Sequence, residues 1–123
     1  MCKEIEVVEV DEFGKDVKKL GKRFRHIKED ISRSVEAIKT EPSNFHHSVR
    51  ISGLGSGADT PVFKLKHFRS TDLKGKGCRS GIRLIYAWED ELRKLSLIEV
   101  YYHDDESTDC NKARILKYFI KDC

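Results

Sequence analysis

Three side chains in this sequence have the type and spacing to act on a phosphodiester: Lys64, Lys66 and Arg83. The first two lie in the alternating stretch Val62-Phe63-Lys64-Leu65-Lys66-His67-Phe68-Arg69, which reads as a strand. Successive side chains of a strand point to opposite faces, so Lys64 and Lys66 share one side while Phe63 and Leu65 take the other. A second stretch, Ser80-Gly81-Ile82-Arg83-Leu84-Ile85-Tyr86-Ala87-Trp88, puts Ile82, Leu84, Tyr86 and Trp88 on an apolar face and Arg83 on the reverse. Paired in register, the two strands would gather both lysines and Arg83 on one solvent-facing sheet surface. Such a trio binds a phosphodiester and offsets the charge that builds on it during cleavage.

The charge distribution points the same way. From Lys64 to Arg83 there are seven cations (Lys64, Lys66, Arg69, Lys74, Lys76, Arg79 and Arg83) and one anion, Asp72. That net of +6 is twice the +3 of the whole chain, and a concentrated patch calls for a polyanionic partner, nucleic acid first. Arg69, Lys74, Lys76 and Arg79 are the expected contacts to a nucleic-acid backbone. A third stretch over 94–103 ends in Tyr101-Tyr102-His103. Alternation places Tyr101 and His103 on a side with Glu99 and Leu97, and Tyr102 on the other, an assignment that a twist or bulge at the strand's end would swap. His103 is a candidate to move a proton near neutral pH.

Plainer roles compete for these residues. Lysines alternating on a strand also protect a sheet edge from aggregation. Arg83 could serve as a structural ion-pair partner of Glu99. Tyr86 and Trp88 at period two fit a buried face, and His46 and His47 fit an exposed loop.

The elements that must carry these residues follow from periodicity. Residues 4–10 alternate as a short strand, and Asp11 is an expected N-cap. Phe13, Val17 and Leu20, with Phe24 beyond the break at Gly21, form one helical stripe. Ile27, Ile31, Val35 and Ile38 form a second, closed by Pro42. A short strand is expected at Val49-Arg50-Ile51, then strands over 62–69, 81–89 and 94–103. A last helix carries Ile115, Leu116, Phe119 and Ile120. Helices followed by clustered strands, without βαβ alternation, predict an α+β fold. In it an N-terminal helical hairpin packs on a mainly antiparallel sheet, with a C-terminal helix.

At 123 residues the chain reads as one domain over 1–123. No apolar run nears the roughly 20 residues that span a bilayer, and the N-terminus lacks an apolar signal region, so a cytoplasmic protein with no membrane partner is expected. Cys2, Cys78, Cys110 and Cys123 are too scattered for a zinc site and are expected as free thiols; no metal or cofactor is expected. Gly53-Leu54-Gly55-Ser56-Gly57-Ala58 is not followed by a helix signal, and Lys74-Gly75-Lys76-Gly77 lacks the Ser/Thr of a P-loop.

The Lys-x-Lys strand, the Lys74-Gly75-Lys76-Gly77 loop and the Ser-Gly-x-Arg-hydrophobic-hydrophobic-Tyr run over 80–86 resemble the RelE/ParE superfamily of type II toxin–antitoxin toxins. The order of elements is similar over nearly the whole chain. The resemblance implies a RelE-like, ribosome-dependent endoribonuclease of messenger RNA that is silenced by a cognate antitoxin. It implies metal-free attack of a ribose 2′-OH on the adjacent phosphate. Lys64 or Lys66 would take the 2′ proton, Arg83 would stabilise the phosphate, and Tyr102 or His103 would serve at the end of the last strand. This chain departs from the pattern in the acids between Asp104 and Asp109 and in its final residues, Lys121-Asp122-Cys123. Two other readings fit the same fold: a ParE-like binder that poisons DNA gyrase, and a catalytically silent relative that binds an antitoxin.

Overall fold

The computed structural model describes residues 4–43, 45, 48–51, 60–66, 68–72, 81–102 and 112–119. The elements run β1 (Glu6–Glu9), α1 (Asp11–Gly21), α2 (Ile27–Ile38), β2 (Ser48–Arg50), β3 (Val62–Leu65), β4 (Ile82–Glu89), β5 (Lys94–Tyr102) and α3 (Lys112–Phe119). The five strands form one open, mixed sheet in the order β1-β5-β4-β3-β2. β1 runs parallel to β5 and the other pairings are antiparallel, so the α+β expectation holds. Among the described residues no helix is long and apolar enough to cross a membrane.

The helical stripes work as their spacing requires. Phe13, Val17 and Leu20 of α1 and Ile27, Ile31, Val35 and Ile38 of α2 are buried against one face of the sheet. That face supplies Phe63, Leu65, Ile82, Leu84, Tyr86, Trp88, Leu95, Leu97, Val100 and Tyr102. Phe24 lies past the end of α1 yet joins the same core. Asp11 is the first residue of α1 and Val10 is its N-cap, a one-residue correction. At that position the Asp11 carboxylate favours the helix through the dipole of the first turn.

β3 ends at Leu65, four residues before the end of its alternating pattern. The ladder with β4 pairs Leu65 with Leu84, and Phe68 then turns into the helix-facing core. β5 carries a bulge: Ile85 of β4 pairs with Glu99, while Tyr86 pairs with Leu97. Ile98 is the extra residue, so two consecutive residues, Ile98 and Glu99, fall on the same face. Leu97 consequently joins the helix-facing core, not the side of Glu99 and Tyr101 that simple alternation predicts.

β1 covers β5 only as far as Leu97. Beyond it, side chains take over the edge. Asp16 of α1 accepts a hydrogen bond from Val100 N–H at 3.3 Å, and Arg114 of α3 donates to the Ile98 carbonyl at 3.0 Å. The two form an ion pair with each other at 2.6 Å. Burial opposes the Arg114 charge, and the Asp16 carboxylate, with Glu99 and Glu12 adding, more than restores it, so its pKa is raised. Further along α3, Tyr118 and Lys117 both donate to Glu12, which holds that carboxyl down at about 2.

Candidate nucleic-acid interface

Lys64 and Arg83 share one face near the end of the β3–β4 ladder, and the backbone of Lys66 lies against Arg83. Lys64 has Ile85 as its cross-strand partner, and Arg83 follows two residues earlier on β4, on the same face. Arg83 Nη1 donates to the Lys66 carbonyl at 3.1 Å, and to the Ile82 carbonyl at 3.5 Å. The guanidinium therefore takes the place of a ladder bond where β3 stops. Lys66 is exposed, while Lys64 and Arg83 are half-buried.

The face itself is not open to solvent throughout, which corrects the expected surface. Val62, Ile85, Ala87, Ile98 and Tyr101 form a second apolar cluster there, and Ile115 of α3 packs into it. Two apolar layers follow from the near-continuous apolar run of β4, which buries both of its faces. The cations emerge at the end of this covered face, beside the last pairs of the β4–β5 ladder, Arg83 with Tyr101 and Ile82 with Tyr102.

Tyr101, the partner of Arg83, is the tyrosine on the trio's face. Tyr102 faces the helices, its ring 5.2 Å from Phe24 and 4.8 Å below the Arg23 guanidinium. Tyr86 and Trp88 are core residues; the Tyr86 hydroxyl donates to Ser48 at 2.6 Å, and burial raises its pKa. Arg69 is exposed on the segment after β3. His103, Lys74, Lys76 and Arg79 lie outside the described residues, as do the 104–109 acids, the 53–58 glycine run, His46, His47 and the four cysteines.

A second basic segment escaped the sequence reading. Lys22, Arg23 and Arg25, all exposed, lie in the connection between α1 and α2. His26, at its end, donates its backbone N–H to Asp72 at 2.9 Å, and its Nδ1 lies 2.9 Å from the other oxygen of that carboxylate. This contact brings residues 22–26 beside the segment that leaves β3. The signal was present as three cations within four residues around a single Phe, but each helix stripe drew them into a helix boundary.

The helix layer holds a separate feature, a groove of about 650 Å³ whose lining includes Phe13, Gly14 and Val17 of α1 and Lys28 and Ile31 of α2. None of the predicted residues lines it. A Cβ at Gly14 would meet nothing within 4 Å, so Gly14→Ala is expected to stabilise the chain by about 0.5–1 kcal/mol through helix propensity alone. A urea melt checks this; a loss of stability would mean that α1 needs glycine for its backbone.

A scan against protein-family models gave no match for this chain, and a search of curated proteins found no relative.

Proposed function

We propose that the chain is a RelE-like toxin, a metal-independent endoribonuclease that cuts messenger RNA on the ribosome and is held silent by a cognate antitoxin. The observation that supports this reading is that Lys64 and Arg83 share one face near the end of the β3–β4 ladder, with the guanidinium held by the backbone carbonyl of Lys66. Attack by the 2′ oxygen forms a new bond to phosphorus and breaks the bond to the 5′ oxygen of the next nucleotide. The 2′ proton leaves to a base and a proton reaches the departing 5′ oxygen. In this reading Lys64 or Lys66 takes the 2′ proton and supplies counter-charge, and Arg83 stabilises the negative phosphate. The second group of cations, Lys22, Arg23 and Arg25, lengthens the surface available to a single strand.

One observation favours a silent, RNA- or antitoxin-binding relative as the second reading. Tyr102 is packed under Arg23 on the opposite side from Arg83, where it cannot protonate a leaving group at the trio. The two readings separate in a translating cell-free extract, with cuts in one messenger mapped by primer extension with and without ribosomes. Ribosome-dependent cuts support the nuclease. An intact messenger with folded protein favours the silent relative or a gyrase binder.

Binding to a short unstructured RNA is expected to weaken with salt, with a log–log slope of roughly −2 if three phosphates are neutralised. A flat response in a titration from low to high salt would remove the phosphate-clamp argument.

A further inference from the structure

Asp72 is the one anion within the basic stretch from Lys64 to Arg83, and the structure shows where its charge goes. Both carboxylate oxygens turn to His26, one to the backbone N–H and one to Nδ1, each at 2.9 Å. The neighbouring residue is tied down as well. Asp30, only 1% exposed, accepts from Thr71 N–H at 2.9 Å and from Thr71 Oγ1 at 2.6 Å. Two consecutive residues of the segment leaving β3 are thus fixed to the N-cap and first turn of α2, across more than forty residues of sequence. Next to them, the buried Ser70 hydroxyl has no hydrogen-bond partner among the described residues. A buried hydroxyl left unpaired costs free energy, so the segment is held where its neighbours dictate.

Resting on the RNA-binding reading above, we propose that His26 and Asp30 are positioning residues for the segment that presents Lys66 and Arg69, and that the proton on His26 tunes how strongly this face binds RNA. With His26 charged, the Asp72 anion is neutralised and the surrounding cations act unopposed. With His26 neutral, the Asp72 charge stands uncompensated beside them.

The clasp and the charge are separable. The bond from the His26 backbone N–H persists at either protonation state, and neutral imidazole with its proton on Nδ1 still donates to Asp72. Titration therefore changes the field and leaves the segment in place. The groups facing the pair are Glu29 and Asp30 of α2, which add to the pull on the His26 proton, and Arg25, which favours the Asp72 anion. Arg33 lies 3.5 Å from Asp30. The hydrogen bond and charge of Asp72 raise the His26 pKa above its ordinary 6.5, and the same contact lowers that of Asp72 below 3.8. The sign follows. The His26 contribution is complete below pH 6.5 and is lost as pH rises through the raised value. The Asp72 contribution is complete above 3.8 and is lost as pH falls through the lowered value.

The test measures the affinity of the full chain for a labelled, unstructured RNA of about 20 nucleotides at constant ionic strength, from about pH 5.5 to 8.5. Wild type, His26→Gln and Asp72→Asn are compared. His26→Gln is expected to match wild type at high pH and to bind about threefold more weakly at low pH, the size of one exposed charge contact. Asp72→Asn is expected to bind more tightly than wild type at high pH. The difference between the wild-type and His26→Gln curves isolates His26. Proton NMR of the His26 ring, expected to titrate lower in Asp72→Asn, reads the clasp without RNA. Identical pH responses in wild type and His26→Gln overturn the switch while the RNA reading stands. Unchanged His26 titration in Asp72→Asn overturns the clasp. Absence of RNA binding at every pH removes the RNA reading and the switch with it.

Discussion

Arg83→Ala is expected to cut messenger cleavage by about 10²–10³-fold, the loss typical when one preorganised donor to a developing anion is removed. The expected structural cost is small. Its guanidinium donates to the Lys66 carbonyl at 3.1 Å at the end of a strand, and a single such bond contributes about 0.5–1.5 kcal/mol. The solvent beside exposed Lys66 can replace it. Arg83→Lys is expected to restore little, because an ammonium cannot hold the carbonyl and a phosphate in one planar fork. Primer extension in the translating extract reads cleavage, and thermal unfolding reads the fold. A collapsed melting transition in Arg83→Ala would make Arg83 a structural residue. Undiminished cutting by a folded Arg83→Ala protein would move the chemistry elsewhere.

Trp88→Ala is expected to give the largest loss of stability, about 3–5 kcal/mol. The ring is 1% exposed within the helix-facing core. Its Nε1 donates to Asp90 at 3.2 Å, and Arg93 stacks on it at 5.1 Å. These contacts join the core to the β4–β5 turn, where Arg93 adopts a positive φ of 52°. Against a typical total of about 5–15 kcal/mol, such a loss brings the chain near its stability threshold. The urea midpoint, followed by far-UV circular dichroism, is expected to fall by about 2 M. A shift under a third of that would place the indole outside the core.

The helical part of this fold was legible because stripes at three and four residues have one explanation. Phe13, Val17 and Leu20 and their counterparts in α2 point where the sequence says. The alternation of β4 likewise separated Arg83 from Leu84 and Tyr86. Two things stayed hidden. Bulges have no residue signature here: Leu97-Ile98-Glu99-Val100 reads equally well in either phase, and only pairing with Ile85 and Tyr86 selects one. Long-range polar pairs were hidden too. Asp72 counts against the basic patch on paper, whereas its carboxylate is bound to a histidine 46 positions away. A sum over sequence cannot see which charges are already answered.

The pairing of β1 with β5 also has a kinetic side. Glu6 lies opposite Lys94, and the Asp16–Arg114 ion pair joins residues 98 apart, so β1 and α1 find their partners among residues made much later in the chain. At about 5–20 residues per second, a ribosome leaves the N-terminal strand waiting several seconds for that partner. Meanwhile the apolar stripes of α1 and α2 can pack on each other but have no sheet beneath them. Contacts of such high sequence separation slow folding, because loop closure must precede the pairings that reward it. The interval in which this chain is most open to chaperones and to misassociation is therefore written into which strand lies beside which.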